Sequence, residues 1–156
     1  MTLTITTPTD REITMTRAFL APRHLVFDCY TKPELIRRWM SGPPGWTFAI
    51  CEIDLRVGGN YRYVWQNEAG HSMGMGGVYR EILPPSRIVE TQLFDQDWTG
   101  GEALGTLTLT EKDQQTIVTT TVLYPSKQAR DGALQSGMEQ GMKLGFDKLD
   151  ELLNTL

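Results

Sequence analysis

The chain has 156 residues, a net charge of -4 and a hydrophobic share of 40%. This length allows one domain that buries roughly 70% of the unfolded chain's surface, and the composition is ordinary for a globular protein. The apolar content is too high for a disordered chain, and no stretch approaches the ~18 consecutive apolar residues of a membrane span. The mild acidity argues against a nucleic-acid partner bound through bulk electrostatics.

The N-terminal segment lacks the basic and apolar regions of a secretory signal, so a cytoplasmic protein is expected. Residues 1–11 are rich in threonine and are predicted to form a flexible lead-in, and residues 12–156 a single domain. Cys29 and Cys51 belong to no Cys-x-x-Cys pair and have no accompanying His cluster, so no metal site is predicted. We interpret both as buried apolar residues, with a disulfide or a catalytic thiol as the alternatives.

The remaining pattern predicts a strand, two helices, six strands and a final helix. Alternation over residues 12–20 indicates the first strand, and helical spacing follows Pro22 and again from Pro33 until glycines and prolines intervene at 41–45. The period then becomes two, which predicts six strands joined as hairpins, beginning near residues 46, 61, 71, 87, 103 and 115. The loop predicted over residues 95–101 contains Trp98.

The last segment shows the clearest amphipathic pattern in the chain. Its apolar residues fall within about 120° on a helical wheel and predict a helix of roughly 25 residues, about 37 Å long, capped by a residue between Ser126 and Asp131. Gly137, Gly141 and Gly145 lie along one edge of the apolar stripe. They either allow close packing of the helix on the sheet or leave room for a ligand, and both interpretations stay open here.

These elements predict an α+β domain in which a curved antiparallel sheet wraps around the long C-terminal helix. A sheet of this kind leaves an internal space wherever the helix does not fill its concave face. Large aromatic and methionine side chains at inward positions are expected to line that space and to bind a ligand. This predicted set is Trp39, Trp46, Phe48, Tyr61, Tyr63, Trp65, Met73, Met75, Met138, Met142 and Phe146.

Four segments resemble one known superfamily. They are RAFLAPRHLVFDCYTKPELIRRW at 17–39, DLRVGG at 54–59, GVYREILPPSRI at 77–88 and GMKLGFDKL at 141–149. In order and spacing they are similar to the SRPBCC superfamily, which includes the birch pollen allergen and the START domains, and within it to the proteins named for the activator of the heat-shock protein 90 ATPase. The resemblance implies a helix-grip fold, with two short helices after the first strand and a hydrophobic cavity between the sheet and the C-terminal helix.

The sequence contains no nucleophile elbow, phosphate-binding glycine loop or His-Glu-x-x-His motif, so no catalytic residue and no cofactor is predicted. A carboxylate facing an apolar cavity would have a raised pKa and could act as an acid or a base. The ionisable candidates are each interpreted first as turn, rim or solvent-exposed groups: Glu52, Asp54, Glu81, Glu90 and His71.

The expected function is binding of a small hydrophobic or aromatic molecule in an internal cavity. The first alternative is an enzyme of the cyclase, dehydratase or hydrolase type that uses a cavity carboxylate. The second, from the resemblance, is a module that interacts with heat-shock protein 90 and regulates its ATPase. A homodimer is compatible with a chain of this size because C2 association is the commonest oligomer, although nothing in the sequence indicates one directly.

Overall fold

The computed structural model describes residues 1–96 and 100–156, and within these residues the chain forms eight strands and four helices. The strands are β1 (Thr4–Thr6), β2 (Glu12–Phe19), β3 (Trp46–Ile53), β4 (Asn60–Asn67), β5 (Ser72–Leu83), β6 (Arg87–Phe94), β7 (Ala103–Lys112) and β8 (Gln115–Leu123). The helices are α1 (Arg23–Thr31), α2 (Pro33–Trp39), α3 (Lys127–Gln135) and α4 (Met138–Leu153). All strands form one antiparallel sheet in the order β1-β2-β8-β7-β6-β5-β4-β3.

The order of elements confirms the α+β prediction. Strands β2 to β8 and both short helices lie where the hydrophobic pattern indicated them. Strand β1 was not predicted; it lies within the lead-in over residues 1–11 and pairs with β2, with Ile5 opposite Met15. The boundary between the lead-in and the domain stays a prediction. Trp98, in the loop predicted over residues 95–101, lies outside the described residues.

Two groups of buried side chains form the core on the inner face of the sheet. The smaller group lies beneath α3, where Ala129 and Ala133 pack against Ile13 and Val122. The larger group lies between the sheet and the other three helices, and its largest fully buried members include Phe19, Ile36, Leu109, Phe146 and Leu149. Complete burial of a side chain of this size contributes roughly 1.5–3 kcal/mol.

The prediction of one C-terminal helix of about 25 residues is wrong, because the chain forms two helices there. Helix α3 ends at Gln135 and α4 begins at Met138. Gly137 separates them with a φ of 83°, a left-handed conformation that glycine adopts without a steric penalty. The predicted cap is confirmed, since the Ser126 hydroxyl accepts a hydrogen bond of 3.0 Å from the Ala129 amide.

The C-terminal half of α4 is fastened to the rest of the domain. The buried Arg17 guanidinium, on the inner face of β2, lies 3.5 Å from Asp147 and 3.7 Å from Asp150. The Lys148 ammonium donates to the Ser41 hydroxyl at 2.8 Å and to the Gly42 carbonyl at 3.0 Å. These contacts hold the second half of the helix against β2 and the loop after α2.

The N-terminal half of α4 is packed less tightly. From Met138 to Gly145 the side chains are half-buried or exposed, and only Met138 and Met142 pack against the core groups. A Cβ atom added at Gly141 would meet no described atom within 4 Å, and one added at Gly145 would make ordinary contacts with Trp39 at 3.8 Å and 3.9 Å. Neither glycine is therefore required for close packing, which was one of the two interpretations of these positions.

Candidate ligand-binding site

Five aromatic rings form a continuous row on the inner face of β3, β4 and β5, and we call it the ring row. Along the row, the ring centroids are 4.9 Å apart for Trp65 and Phe48, and 5.5 Å apart for Phe48 and Tyr63. The row continues from Tyr63 to Tyr61 at 5.0 Å and from Tyr61 to Tyr79 at 5.5 Å. Period-two spacing places Tyr61, Tyr63 and Trp65 on one face of β4, as the sequence predicted.

A β-bulge at Ala49 changes the side on which the rest of β3 points. Phe48 lies opposite Trp65, whereas the next register pair is Ile50 with Val64, so one extra residue separates the two pairs. Simple alternation would place Ile50 on the same face as Phe48, but Ile50 is 39% exposed on the outer face and Cys51 turns inward instead.

The polar ends of Trp39, Trp65 and Tyr61 are bound by backbone carbonyls. The Trp39 indole donates to the Cys29 carbonyl and the Trp65 indole to the Met40 carbonyl, both at 2.7 Å. The Tyr61 hydroxyl donates to the Thr91 carbonyl at 2.6 Å. These rings are therefore fixed in orientation by the protein itself, and they present mainly their faces and edges to the interior.

The structure brings together most of the predicted lining residues. Trp39 and Phe146 stack with centroids 6.2 Å apart and are fully buried beside the ring row. Met75 and Met142 are half-buried and pack against the same buried group, and Met142 and Met138 pack against the smaller group. Two residues of the predicted set lie apart: Met73, which is 47% exposed, and Trp46, which is half-buried beside Gly42 and outside both groups.

Glu90 is an acidic side chain on the inner face of the sheet. It lies on β6 directly opposite Tyr79 of β5, and its charge acts on four tyrosines: Tyr30, Tyr61, Tyr63 and Tyr79. Burial raises the pKa of Glu90 from an ordinary value of 4.5 to about 7, and the Tyr61 hydroxyl within hydrogen-bonding reach offsets part of this rise. The carboxyl can therefore be neutral or ionised near neutral pH. Because a hydroxyl has one proton, Tyr61 donates it either to the Glu90 carboxylate or to the Thr91 carbonyl.

The tyrosines around Glu90 stay protonated near neutral pH. Burial is the largest cause that raises the pKa of Tyr61, Tyr63, Tyr79 and Tyr30, and the nearby Glu90 charge raises each of them further. Their hydroxyls can act as hydrogen-bond donors, but they do not supply a phenolate. On β7, Gly105 lies opposite Glu90, and the absence of a side chain there leaves space that the Gln92 amide uses.

The other candidate acids lie outside this region. A second bulge, at Arg80, reverses the parity of β5, so Glu81 lies opposite Val89 on the outer face and pairs with Arg87 at 3.2 Å. Asp54 binds Arg56 at 2.8 Å, which fits the predicted turn. Glu52 and His71 are exposed, and the backbone amide of His71 donates to the Asn67 side chain in the predicted hairpin loop.

The predicted lining set does not include Glu90, Tyr79 or Tyr30. The alternation of β6 could have identified Glu90, because residues two apart in a strand share a face and Ile88 is buried in the core. An acidic residue at an inward position of a strand is unusual enough to mark a site.

Two open grooves lie on the outside of the domain. The first, of about 680 Å3, runs along α3 and is lined by Lys127, Gln128, Asp131, Gly132 and Gln135. The second, of about 310 Å3, lies where β3 and β4 meet and is lined by Glu52, Ile53, Asp54, Asn60, Tyr61 and Arg62. Within the described ranges, no group of three or more His, Cys, Asp or Glu side chains could hold a metal ion.

A curved eight-stranded sheet crossed by a C-terminal helix, with an aromatic inner face, defines a helix-grip protein with a ligand-binding fold. The family model described as "Activator of Hsp90 ATPase homolog 1-like protein" matches residues 20–154, so the chain belongs to this family. The resemblance drawn from the four sequence segments is confirmed.

Solved structures agree with this assignment. A Rhodobacter sphaeroides protein superposes with a TM-score of 0.93 at 28% identity, over 99% of this chain and 100% of that one. A Staphylococcus epidermidis protein gives a TM-score of 0.80 at 28% identity, over 97% and 94% of the two chains. Protein Ms6760 from Mycobacterium smegmatis shares the fold, with a TM-score of 0.83 at 24% identity and coverage of 97% of each chain.

Among curated proteins, no significant match to this sequence is found. In the part of the chain that the structure describes, no helix is both long enough and apolar enough to cross a membrane.

Proposed function

We propose that the protein binds a small hydrophobic or aromatic molecule in a cavity between the ring row and the N-terminal half of α4. The observation that carries the proposal is the ring row, which ends at Tyr79 directly opposite the Glu90 carboxyl on the inner face of the sheet. Tyr30 and Glu90 are half-buried there. Small-molecule sites commonly combine apolar and aromatic walls with a few convergent polar groups.

The methionines support the same location. Met75, Met138 and Met142 are half-buried around the ring row and the loosely packed half of α4. Methionine adapts its shape to irregular apolar partners, so these side chains can yield to a ligand. Trp39 and Phe146, which are both buried and stack with centroids 6.2 Å apart, would form the closed end of the cavity.

Methionine methyl groups provide a direct test. We would label the methyl carbons with 13C and titrate the protein with tert-butylbenzene, a neutral aromatic probe, while recording NMR spectra. The proposal predicts saturable shifts at Met75, Met138 and Met142 and no change at Met1, which is exposed near the chain terminus. Shifts confined to the exposed Met73, or the absence of saturable shifts, would overturn it.

A pair of matched variants locates the bound probe. Met142→Trp enlarges a half-buried side chain next to the core and is expected to weaken probe binding at least about tenfold by filling the cavity. Met73→Trp makes the same exchange at a position that is 47% exposed and should leave the affinity unchanged. Equal affinities for the two variants would contradict the proposed location.

The enzymatic alternative is favoured by one observation, the inward carboxyl of Glu90, whose pKa of about 7 suits general acid–base catalysis. A base in this position would remove a proton from an activated C–H group of a bound substrate. The test is deuterium incorporation from solvent at the methyl group of acetophenone. Exchange that depends on Glu90 and is lost in Glu90→Gln supports the enzyme, and exchange at the background rate argues against it.

The family description suggests the second alternative, regulation of the Hsp90 ATPase. It rests on the description alone. A bacterial Hsp90 whose ATPase rate changes in proportion to added protein would support it, and a rate unaffected by excess protein would remove it.

The cytoplasmic location and the homodimer also stay predictions. Light scattering during gel filtration distinguishes a particle of about 17.6 kDa, the mass of one chain, from one of twice that mass.

A further inference from the structure

The Glu90 carboxyl has no cationic partner among the described residues. The ion pairs that the structure describes all involve other acidic groups, and the buried cation of the inner face, Arg17, is bound by Asp147 and Asp150 of α4. The hydrogen bond with Tyr61 is the interaction that offsets the burial of Glu90. A carboxylate withdrawn from water without a counter-charge is costly, so such groups are normally paired with a cation or kept neutral.

The aromatic rings around this carboxyl have the complementary property. The faces of aromatic rings carry negative electrostatic potential and attract cations, most strongly where water is excluded. Tyr79 lies opposite Glu90 in the sheet, Tyr61 lies within hydrogen-bonding reach of it, and their rings are 5.5 Å apart. Tyr30 approaches the same carboxyl from α1. A single carboxyl among tyrosine rings is a suitable environment for an organic cation.

We propose that the ligand of this site is an organic ammonium ion that carries an apolar or aromatic group, with its charged end held between Glu90 and the surrounding tyrosines. This inference rests on the proposed function, because it requires a small molecule in the cavity. The apolar part of the ligand would lie along the ring row towards Met75, and the cation would supply the charge that Glu90 lacks.

The groups facing Glu90 favour a cation over an anion. From the neighbouring strands and α1 come neutral hydroxyls, and no described Lys or Arg side chain pairs with Glu90. The charge of Glu102, next to β7, acts on Tyr61 with the same sign as that of Glu90, so the field at the Tyr61 end of the ring row is negative whenever Glu90 is ionised. The Arg37 guanidinium lies at the other part of the row, where it donates to the Phe48 carbonyl at 2.6 Å and acts on the Cys51 thiol.

Two probes of nearly equal shape separate charge from size. Phenyltrimethylammonium is a permanent cation, and tert-butylbenzene is its neutral isostere. Calorimetric or NMR titration of the wild-type protein at about pH 8, where Glu90 is ionised, should show the cation binding at least about tenfold more tightly. This comparison needs no variant and does not depend on whether a variant folds.

The matched variants are Glu90→Gln and Glu81→Gln. The first removes the inner charge and keeps the shape, so the preference for the cation should fall at least about tenfold while binding of the neutral probe persists. The second removes a carboxylate of the outer face, which is paired with Arg87, and should leave both affinities unchanged. In wild type, affinity for the cation should also fall when the pH is lowered from about 8 to about 6, because protonation of Glu90 removes the attraction.

The outcomes test the ammonium inference and the cavity proposal separately. Equal affinity of wild type for the two probes, or undiminished cation binding by folded Glu90→Gln, would overturn the ammonium inference while leaving the cavity proposal intact. If neither probe binds up to the limit of its solubility, both proposals are overturned. A cation preference that depends on Glu90 supports both.

Discussion

Glu90 and Tyr79 lie directly opposite each other on β6 and β5, with both side chains on the inner face of the sheet. This pairing places an ionisable carboxyl at the end of a row of five aromatic rings. Tyr30 and Glu90 are half-buried. The arrangement has consequences for stability and for pH dependence that can be measured without knowing the ligand.

Glu90 should lower the stability of the protein at alkaline pH. Its folded-state pKa, about 7, lies above the ordinary value of 4.5, so between these values the folded state binds more protons than the unfolded state. The free energy of unfolding must therefore fall as the pH rises through this range. Glu90→Gln cannot titrate, so its stability relative to wild type should increase by about 2 kcal/mol between about pH 5 and pH 8.

Urea denaturation at the two pH values measures this difference, and Glu81→Gln is the control because its carboxylate lies on the outer face beside Arg87. A relative stability of Glu90→Gln that is the same at both pH values would show that Glu90 titrates normally.

Tyr61→Phe should change both stability and the titration of Glu90. The lost hydroxyl leaves the buried Thr91 carbonyl without its 2.6 Å hydrogen bond, which costs about 1–2 kcal/mol. The same hydroxyl lowers the pKa of Glu90, so its removal should move the titration midpoint of the Glu90 carboxyl upward. A 13C NMR titration follows that midpoint. Tyr124→Phe, in the smaller buried group, serves as the control, and an unchanged midpoint in Tyr61→Phe would refute the predicted coupling.

Three glycine-to-alanine variants should change the free energy of unfolding by different amounts, and one of them should increase it. At Gly77 a Cβ atom would overlap the Thr91 carbonyl, so we expect a loss of about 3 kcal/mol. At Gly137, where φ is 83°, the strain of a left-handed alanine should cost about 1 kcal/mol. At Gly141, a helical position with open space, alanine should stabilise the protein by about 0.5–1 kcal/mol. Chemical denaturation gives all three values, and destabilisation by Gly141→Ala would contradict the open space described there.

The link between Arg17 and α4 should respond asymmetrically to mutation. Removal of both partners in Asp147→Asn/Asp150→Asn leaves a buried cation without compensation and should cost about 1–2 kcal/mol. Arg17→Met fills similar space without a charge, and we expect a change of less than about 1 kcal/mol because the two aspartates are partly exposed. If Arg17→Met lowers the free energy of unfolding more than Asp147→Asn/Asp150→Asn does, then the ion pairs stabilise the fold by more than about 1 kcal/mol.

Much of the fold could be predicted because the hydrophobic pattern matched the period of each element. In β4, the alternation of Tyr61, Tyr63 and Trp65 was enough to place three ring-row residues on one face. The helix break could not be read in the same way. Gly137 continues the spacing of the apolar stripe, and only its left-handed backbone conformation shows that the helix ends before it.

The site was harder to predict because β-bulges alter parity without changing composition. One extra residue at Ala49 turned Ile50 outward and Cys51 inward, and one at Arg80 turned Glu81 outward. By strand parity alone, Glu81 would share a face with Tyr79, whereas Glu90 from the next strand occupies that face. The parity of Glu90 with Ile88 could be seen in the sequence, but the bulge that turns Glu81 outward is a feature of the cross-strand register.

The most direct test of the account is a crystal structure of the protein grown with phenyltrimethylammonium. The account predicts ligand density between the ring row and the N-terminal half of α4, with the ammonium group beside the Glu90 carboxylate and within ~6 Å of the tyrosine ring centroids. An interior closed by protein side chains, with the ligand found only in the outer grooves along α3 or beside β3 and β4, would contradict it.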